Sequence, residues 1–500
     1  MSNNTSNSVV SSLVWKFLER GGVQVIQFVV SILIARILSP HDYGSVALLT
    51  IFISVATVFV QSGLSTALIQ KKDSDELDCS SVFYYSIALA LIVYFILFFS
   101  ADWIAAFYEM PELVLILKVM AIILFPGALN ALQIAILSKR MQFKKQFYSS
   151  LSASVISGIV GIILAVMNYG AWALVFQQLS YQFVICIVLF YLVKWSPKWS
   201  FSFRRTKSLL SYGLKLLVAK LIDTVYHNLE SIIIGKVYSA ETLAFCNKGK
   251  QFPMTLIDNI DGSVQSVMLP VYSAKQDDLI AVKSMLRKTV SMSTYLAFPA
   301  MITLASMGTS LIGLVLGNKW LDAVPYLQLF CAVSMLIPLQ TANLQAINAI
   351  GRSDVFLKLM TIKRFVGVII LCVSVFVYNS PFAVVVAALI IEIVSILINV
   401  PSNKKLLDYR FYEQIKDIFP NLLISLITGL LSYCISLGGY GYFITLVFQA
   451  IIAIISYIVL SKLTKNDNLN YVKSLLIKKY EKRTSICNSG ISRLSNSQSS

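Results

Sequence analysis

Charge is what this sequence has least of. Only 13% of its 500 residues are Asp, Glu, Lys or Arg, while 57% are apolar; soluble domains carry about 25% and 45–50%. Mean hydropathy is +0.76. That balance excludes an ordinary soluble enzyme, a disordered chain and a nucleic-acid-binding domain of the usual charged kind. Histidine is nearly missing, with two residues. The seven cysteines form no CxxC pair, and no His stands near them at metal-ligand spacing. No metal, disulfide framework or cofactor is expected. There is no GxxxxGK[ST], which argues against ATP hydrolysis within the chain. No loop exceeds about 17 residues, whereas independent domains start near ~50. An enzyme reading therefore lacks a site. Residues 1–12 are polar and no small-residue cleavage site follows a short apolar core, so the first span is expected to stay in the mature protein.

What is abundant is apolar runs long enough to cross a bilayer core of ~30 Å. Fourteen are expected, at 13–38, 43–68, 81–100, 113–138, 147–167, 172–193, 209–238, 243–272, 289–316, 323–350, 356–378, 382–399, 416–436 and 442–464. One set of alternate loops holds nearly all the Lys and Arg, for example Lys139, Arg140, Lys144 and Lys145, then Arg204, Arg205 and Lys207, then Lys404, Lys405 and Arg410. The other set holds only Lys319 among basic residues. This asymmetry predicts basic loops and both termini on the cytoplasmic side. It also accounts for the net charge of +17, for which attraction to anionic membrane lipids suffices without nucleic acid. The tail from Lys465 to Arg483 is basic and partly amphipathic, and 484–500 is rich in Ser and Asn; the first suits the inner membrane surface and the second disorder.

The chain also repeats itself. Ser31-Ile32-Leu33-Ile34-Ala35-Arg36-Ile37-Leu38-Ser39 closes span one, and Ser231-Ile232-Ile233-Ile234-Gly235-Lys236-Val237-Tyr238-Ser239 closes span seven. Pro126, Leu132-Gln133 and Arg140 have the spacing of Pro338, Leu344-Gln345 and Arg352. One six-span unit separates the copies. Six is even, so both copies enter from the same side, a parallel repeat. The expected fold is an all-α polytopic membrane protein of about 14 transmembrane helices. Two six-helix lobes, 1–205 and 206–405, would surround a central cavity, followed by two appended helices (406–465) and the tail (466–500).

A charge at mid-span costs roughly 2.5–3.5 kcal/mol on insertion scales, so its position is informative. Charges concentrate in spans one, seven and eight. At 100° per residue, Lys16, Arg20, Gln24, Gln27 and Ser31 form one stripe of span one, with Glu19 at its edge. Tyr212, Lys215, Lys220, Asp223, Tyr226, His227 and Glu230 share one sector of span seven. Asn247, Lys250, Gln251, Thr255, Asp258, Asp261, Gly262 and Gln265 do so in span eight. Span two carries a neutral stripe of Thr50, Ser54, Thr57, Gln61 and Ser65. The repeat makes spans one and seven equivalent, and two and eight, so the four faces are expected to line one cavity. Its cations suit a phosphate or other anion. Its neutral groups, with Tyr212 and Tyr226, suit sugar hydroxyls and ring faces. Asp223, His227, Glu230, Asp258 and Asp261 are candidates for taking up a proton or another cation. The structural alternative for each charge is a pair at helical spacing, such as Lys220 with Asp223, Tyr226 with Glu230, or Lys16 with Glu19. Lys363, Arg364 and Glu392 lie inside spans eleven and twelve with no assigned partner.

Several runs carry a resemblance. They are Ala35-Arg36-Ile37-Leu38-Ser39-Pro40-His41-Asp42-Tyr43-Gly44, Gly63-Leu64-Ser65-Thr66-Ala67-Leu68-Ile69-Gln70-Lys71-Lys72 and Lys139-Arg140-Met141-Gln142-Phe143-Lys144, with Tyr169-Gly170-Ala171-Trp172, Trp195-Ser196-Pro197 and Leu269-Pro270-Val271-Tyr272-Ser273. Over roughly 10–400 the chain resembles the polysaccharide transporter family of the multidrug/oligosaccharidyl-lipid/polysaccharide flippase superfamily, on its Wzx-like, colanic-acid-exporter-like branch. The resemblance implies a flippase of the bacterial inner membrane. It would move an undecaprenyl-diphosphate-linked repeat unit from the cytoplasmic to the periplasmic leaflet, for O-antigen, capsule or exopolysaccharide, by alternating access. A proton or sodium gradient would drive it, and a polysaccharide polymerase and a chain-length regulator would be its partners. The alternative is a cation-coupled small-molecule exporter of the multidrug kind.

Overall fold

The computed structural model describes residues 2–470 and Lys473, apart from Ser62, Lys72 and Asn379. The side chains of Arg20 and Tyr212, and residues 471, 472 and 474–500 of the expected tail, lie outside the described residues. Among the described residues the regular structure is helical, with no strand. The first nine helices are α1 (Ser2–Ile37), α2 (Pro40–Gln61), α3 (Leu64–Gln70), α4 (Glu76–Tyr108), α5 (Leu113–Met120), α6 (Leu124–Lys139), α7 (Phe143–Val166), α8 (Ala171–Val193) and α9 (Phe203–Val237). There follow α10 (Ala240–Ser273), α11 (Leu279–Ser306), α12 (Gly308–Val315), α13 (Val324–Ser334), α14 (Ile337–Ala349) and α15 (Ser353–Tyr378). The last are α16 (Pro381–Leu407), α17 (Phe411–Ser436) and α18 (Tyr442–Leu463).

Among the described residues ten helical segments are long and apolar enough to cross a membrane, and eleven if α11 and α12, bent by 67°, make one span. The chain is a multi-pass membrane protein. The count of fourteen is consistent with this. Among the described residues α9 and α10 do not reach the apolarity of a span and α1 does so only over the short stretch Gly21–Ile37. These are the three helices that carry the charged stripes. Large exposed side chains such as Phe99, Trp103, Phe365 and Phe376 form apolar faces suited to lipid.

The helices pack as two compact units, Met1–Asn247 with Val315–Trp320, and Lys248–Leu314 with Leu321–Ser500. The lobes expected from the repeat rest on sequence register; by packing, α9 groups with α1–α8. In the first unit the α1–α2 turn and the α9–α10 turn are built alike, 200 residues apart. Asp42 N donates to Ser39 Oγ at 3.2 Å, and Thr242 N donates to Ser239 Oγ at 3.0 Å. Each serine satisfies a backbone donor at a helix start. Spans four and ten are each broken, between Met120 and Leu124 and between Ser334 and Ile337, just before Pro126 and Pro338. A proline cannot donate its missing N–H, so the turn before it loosens.

The core of the first unit gathers Leu64, Leu68, Val82, Leu132, Leu137 and Leu189 from α3, α4, α6 and α8. That of the second gathers Tyr272, Val290, Phe298, Leu339 and Tyr409, with α11 against α14 and α17. Lipid tails are as apolar as these side chains, so what holds the helices together here is close van der Waals packing and interhelical hydrogen bonds. A bidentate pair ties α11 to α17 in the second unit: Arg287 Nε and Nη2 donate to the Asp417 carboxylate at 2.8 and 2.7 Å.

Candidate functional site

The first unit contains an open cavity of about 560 Å³. α2 supplies Thr50, Ser54, Thr57 and Gln61, whose spacing of three and four places them on one face. α1 adds Gln27, α7 adds Ser154 and Ser157, and α8 adds Gln177, Gln178, Tyr181 and Gln182. α9 adds Lys220 and Thr224. Thr50, Ser54 and Thr57 each donate to the carbonyl four residues back, at 2.8, 2.7 and 2.7 Å. Their hydrogens serve the helix, so what they offer the cavity is acceptor lone pairs. The glutamine amides offer donors and acceptors both.

Lys220 is the one charged group among these lining residues, and its Nζ donates to Gln61 Oε1 at 3.4 Å. No Asp or Glu is among them. A smaller space of about 170 Å³ shares Thr57, Gln61 and Gln182 with the first. There Asn130 Nδ2 donates to the Gln182 carbonyl at 3.0 Å and to its Oε1 at 2.9 Å, which fixes one wall. Such a lining can bind a hydroxyl-rich neutral group and one anionic group, and it carries no nucleophile–base pair.

Of the expected site residues, Gln27, Gln61 and Lys220 meet in this cavity, together with the α2 stripe as far as Gln61. Lys16, Gln24, Lys215 and Tyr226 lie in the same unit but are not among its lining. Lys16 Nζ sits 2.6 Å from Glu19, the structural pair its spacing allowed. His227 Nε2 lies 3.5 Å from Asp223 Oδ1, both well exposed. Seven polar lining residues were not singled out in the sequence: Ser154, Ser157, Gln177, Gln178, Tyr181, Gln182 and Thr224. Their signal was Gln177-Gln178 and Tyr181-Gln182, a dense set of uncharged polar residues inside an apolar run.

Residues 33–325 match a family described as "Polysaccharide biosynthesis protein". The chain belongs to this family. The teichuronic acid biosynthesis protein TuaB of Bacillus subtilis (strain 168) is 25% identical, over 70% of this chain and 73% of its own. The succinoglycan biosynthesis transport protein ExoT of Rhizobium meliloti (strain 1021) is 22% identical, over 67% and 68%. The solved structure of the lipid II flippase MurJ in an inward closed conformation has the same fold, with a TM-score of 0.72 and 18% identity over 92% of this chain and 99% of that one.

In the second unit of this polysaccharide biosynthesis protein, Lys250 Nζ stands 5.1 Å from the centre of the Phe330 ring and Lys248 Nζ donates to Gln251 Oε1 at 3.2 Å. Asp258 is exposed, while Asp261, one turn on, is buried. Asp261 Oδ2 accepts from Gln265 Nε2 at 2.7 Å and from Thr341 Oγ1 at 3.1 Å, and its Oδ1 has no hydrogen-bond partner. Neutral donors thus hold one oxygen of this carboxylate, and the other is buried without a hydrogen-bond partner.

Proposed function

We propose that this chain carries a lipid-linked oligosaccharide across the bacterial inner membrane, from the cytoplasmic to the periplasmic leaflet, by alternating access, in the making of O-antigen, capsule or exopolysaccharide. The cavity of the first unit carries this reading. Its amides and hydroxyl oxygens match sugar hydroxyls, and Lys220 matches a phosphate of an undecaprenyl-diphosphate carrier. The names of TuaB and ExoT, and a fold like that of a lipid II flippase, support the same substrate class. Gln27 and Gln61 would hold the glycan with the α8 glutamines. Lys16, Arg20, Gln24, Tyr212, Lys215 and Tyr226 of the first unit are assigned to substrate binding, and so, in the second unit, are Lys250 and Gln251. A multidrug-type exporter of cations would need acids in its cavity, and this lining has none.

A proton or sodium ion is the proposed coupling ion. Among Asp223, His227, Glu230, Asp258 and Asp261, the buried Asp261, one of whose oxygens has no hydrogen-bond partner, suits it best. The basic loops and both termini would face the cytoplasm, and a polymerase and chain-length regulator would take the product. Deleting the gene should abolish surface polysaccharide and trap lipid-linked repeat units on the cytoplasmic face. The wild-type chain should restore export and Lys220→Met should not. Normal polysaccharide with no trapped intermediate would overturn the reading.

A further inference from the structure

α16 carries a second polar line that the cavity does not use. Glu392, Ser395, Asn399 and Asn403 follow one another by three, four and four residues, so they lie on one face of the helix. The opposite face bears the exposed Ile390, Ile393 and Leu397. Ser395 is 5% exposed, and Asn399 and Asn403 are fully buried. Neither amide atom of Asn399 or Asn403 has a hydrogen-bond partner in the protein, and the same holds for Asn343 Oδ1 on α14. Leaving a buried polar group unpaired costs its lost hydration. Protein interiors satisfy rows of such groups with bound water. From Asn403 to Glu392 the row rises roughly 16 Å at 1.5 Å per residue, about half of a ~30 Å hydrocarbon core.

At the head of the row stands a three-residue cluster. Lys363 Nζ on α15 donates to Gln340 Oε1 on α14 at 3.0 Å. The Gln340 amide nitrogen donates to the Glu392 carboxylate and, at 3.3 Å, to the Glu392 backbone carbonyl. The amide therefore stands between the two charges. A separated pair stabilises each charge less than a contact pair does. Glu392 can be neutralised while Lys363 keeps its bond to Gln340.

Among the described residues Lys363 is the charged group that bears on Glu392. α13 and α14, which pack on α16, carry no Asp, Glu, Lys, Arg or His. α15 also carries Asp354, Lys358 and Arg364. α11 carries Lys283, Arg287 and Lys288, of which the first two pair with Glu413 and Asp417.

We infer that Glu392 is a proton-binding site, fed by a water-filled path along Asn403, Asn399 and Ser395. A proton from the bulk solution would pass along bound waters to the Glu392 carboxylate, giving the neutral acid and changing the cluster from zero to one positive charge. The row ends at Asn403, next to Lys404 and Lys405 in the last turn of α16, the side that the basic loops would place at the cytoplasm. Its use in transport rests on the reading above; the site itself does not.

The test is infrared difference spectroscopy of the purified full chain in nanodiscs, without substrate, as pH is stepped. On acidification the carboxylic-acid C=O region should contain, beside the other carboxyls, a component that is missing in Glu392→Gln. In Asn399→Leu/Asn403→Leu that component should remain, but its shift on transfer to D2O should slow several-fold. Asn399→Leu alone should slow it too, and it serves if the double variant does not survive purification. An unchanged C=O region in Glu392→Gln, or exchange at the wild-type rate in the leucine variants, would overturn the inference. Because no substrate is present, either result is independent of the polysaccharide assay.

Discussion

Lys220 Nζ reaches Gln61 Oε1 at 3.4 Å, bridging α9 and α2 across the cavity of the first unit. The contact is long and to a neutral acceptor, so the ammonium remains available to an anion. A hydrogen bond to a charged group contributes ~1.5–3 kcal/mol, or roughly ten- to a hundredfold in affinity at 1.4 kcal/mol per decade. Lys220→Met should weaken uptake of a lipid diphosphate-linked sugar by that order, and Lys220→Arg should retain most of it. The measurement is binding and flipping of a fluorescent lipid-linked oligosaccharide in proteoliposomes. Wild-type binding by Lys220→Met would remove the lysine from the substrate's path.

Trp320 is fully buried and its indole N–H donates to the Ala35 carbonyl at 2.8 Å. Lys319 Nζ donates to the Ile37 carbonyl at 3.0 Å. Both carbonyls belong to the last turn of α1, which has no helical donors of its own left. Tyr43 and Phe245 meet the indole edge-on, with ring centres 5.5 and 5.9 Å away. Trp320→Ala should cost ~3–5 kcal/mol. Trp320→Phe keeps the ring packing but leaves a buried carbonyl without its donor, at about 1–3 kcal/mol. Thermal unfolding in detergent should rank wild type above Trp320→Phe and that above Trp320→Ala. Equal melting of the two variants would mean that the hydrogen bond contributes nothing.

Much of this fold was legible because a bilayer imposes length and polarity on each span. The Ser39 and Ser239 turns were legible because local capping needs only local residues. The α2 stripe was legible for the same reason, as spacing on one helix. The α7 and α8 share of the cavity was not. Periodicity tells which residues share a helix face but not which helix that face meets. Gln177 and Gln182 acquire their role only from packing beside α2 and α6. Trp320 capping a helix that ends nearly three hundred residues earlier has no sequence signal at all. Nor did the spacing in span seven foretell that Lys220 would reach Gln61 on α2.

Asp75 ties an acid-sensitive contact to the entry of α4. Its side chain accepts from Asp78 N at 2.9 Å and pairs with Arg205. The Arg205 guanidinium holds the Asp75 carboxyl down at about 2, below the ~3.9 of an unfolded chain. A carboxyl depressed in the folded state stabilises it above the unfolded value, and this is lost as pH falls through the folded one. The contribution should therefore be complete above pH ~4 and fade toward about 2. In Asp75→Asn that part of the acid-side decline should be missing, and the gap between variant and wild type should narrow as pH drops. The site is exposed, so added salt should shrink the gap as well. Limited proteolysis of the α3–α4 junction from pH 5 downward checks it. A gap that does not change with pH would refute the assignment.

Gly44 allows the two copies of the repeated turn to touch backbone to backbone. A Cβ there would lie 1.9 Å from the Ala240 carbonyl oxygen and 2.3 Å from its carbon. Neither atom belongs to a side chain that could swing aside, so α2 and the start of α10 would have to separate. Overpacking a tight core contact costs ~1–3 kcal/mol, and a backbone obstacle places Gly44→Ala at the upper end. Gly21 on α1 is the control, since a Cβ there meets nothing within 4 Å. Gly21→Ala should gain some of the ~1 kcal/mol by which alanine exceeds glycine in a helix. Melting of the two variants in detergent should move in opposite directions. If Gly44→Ala melts with the wild type, the two turns are not in the contact that their shared register and capping describe.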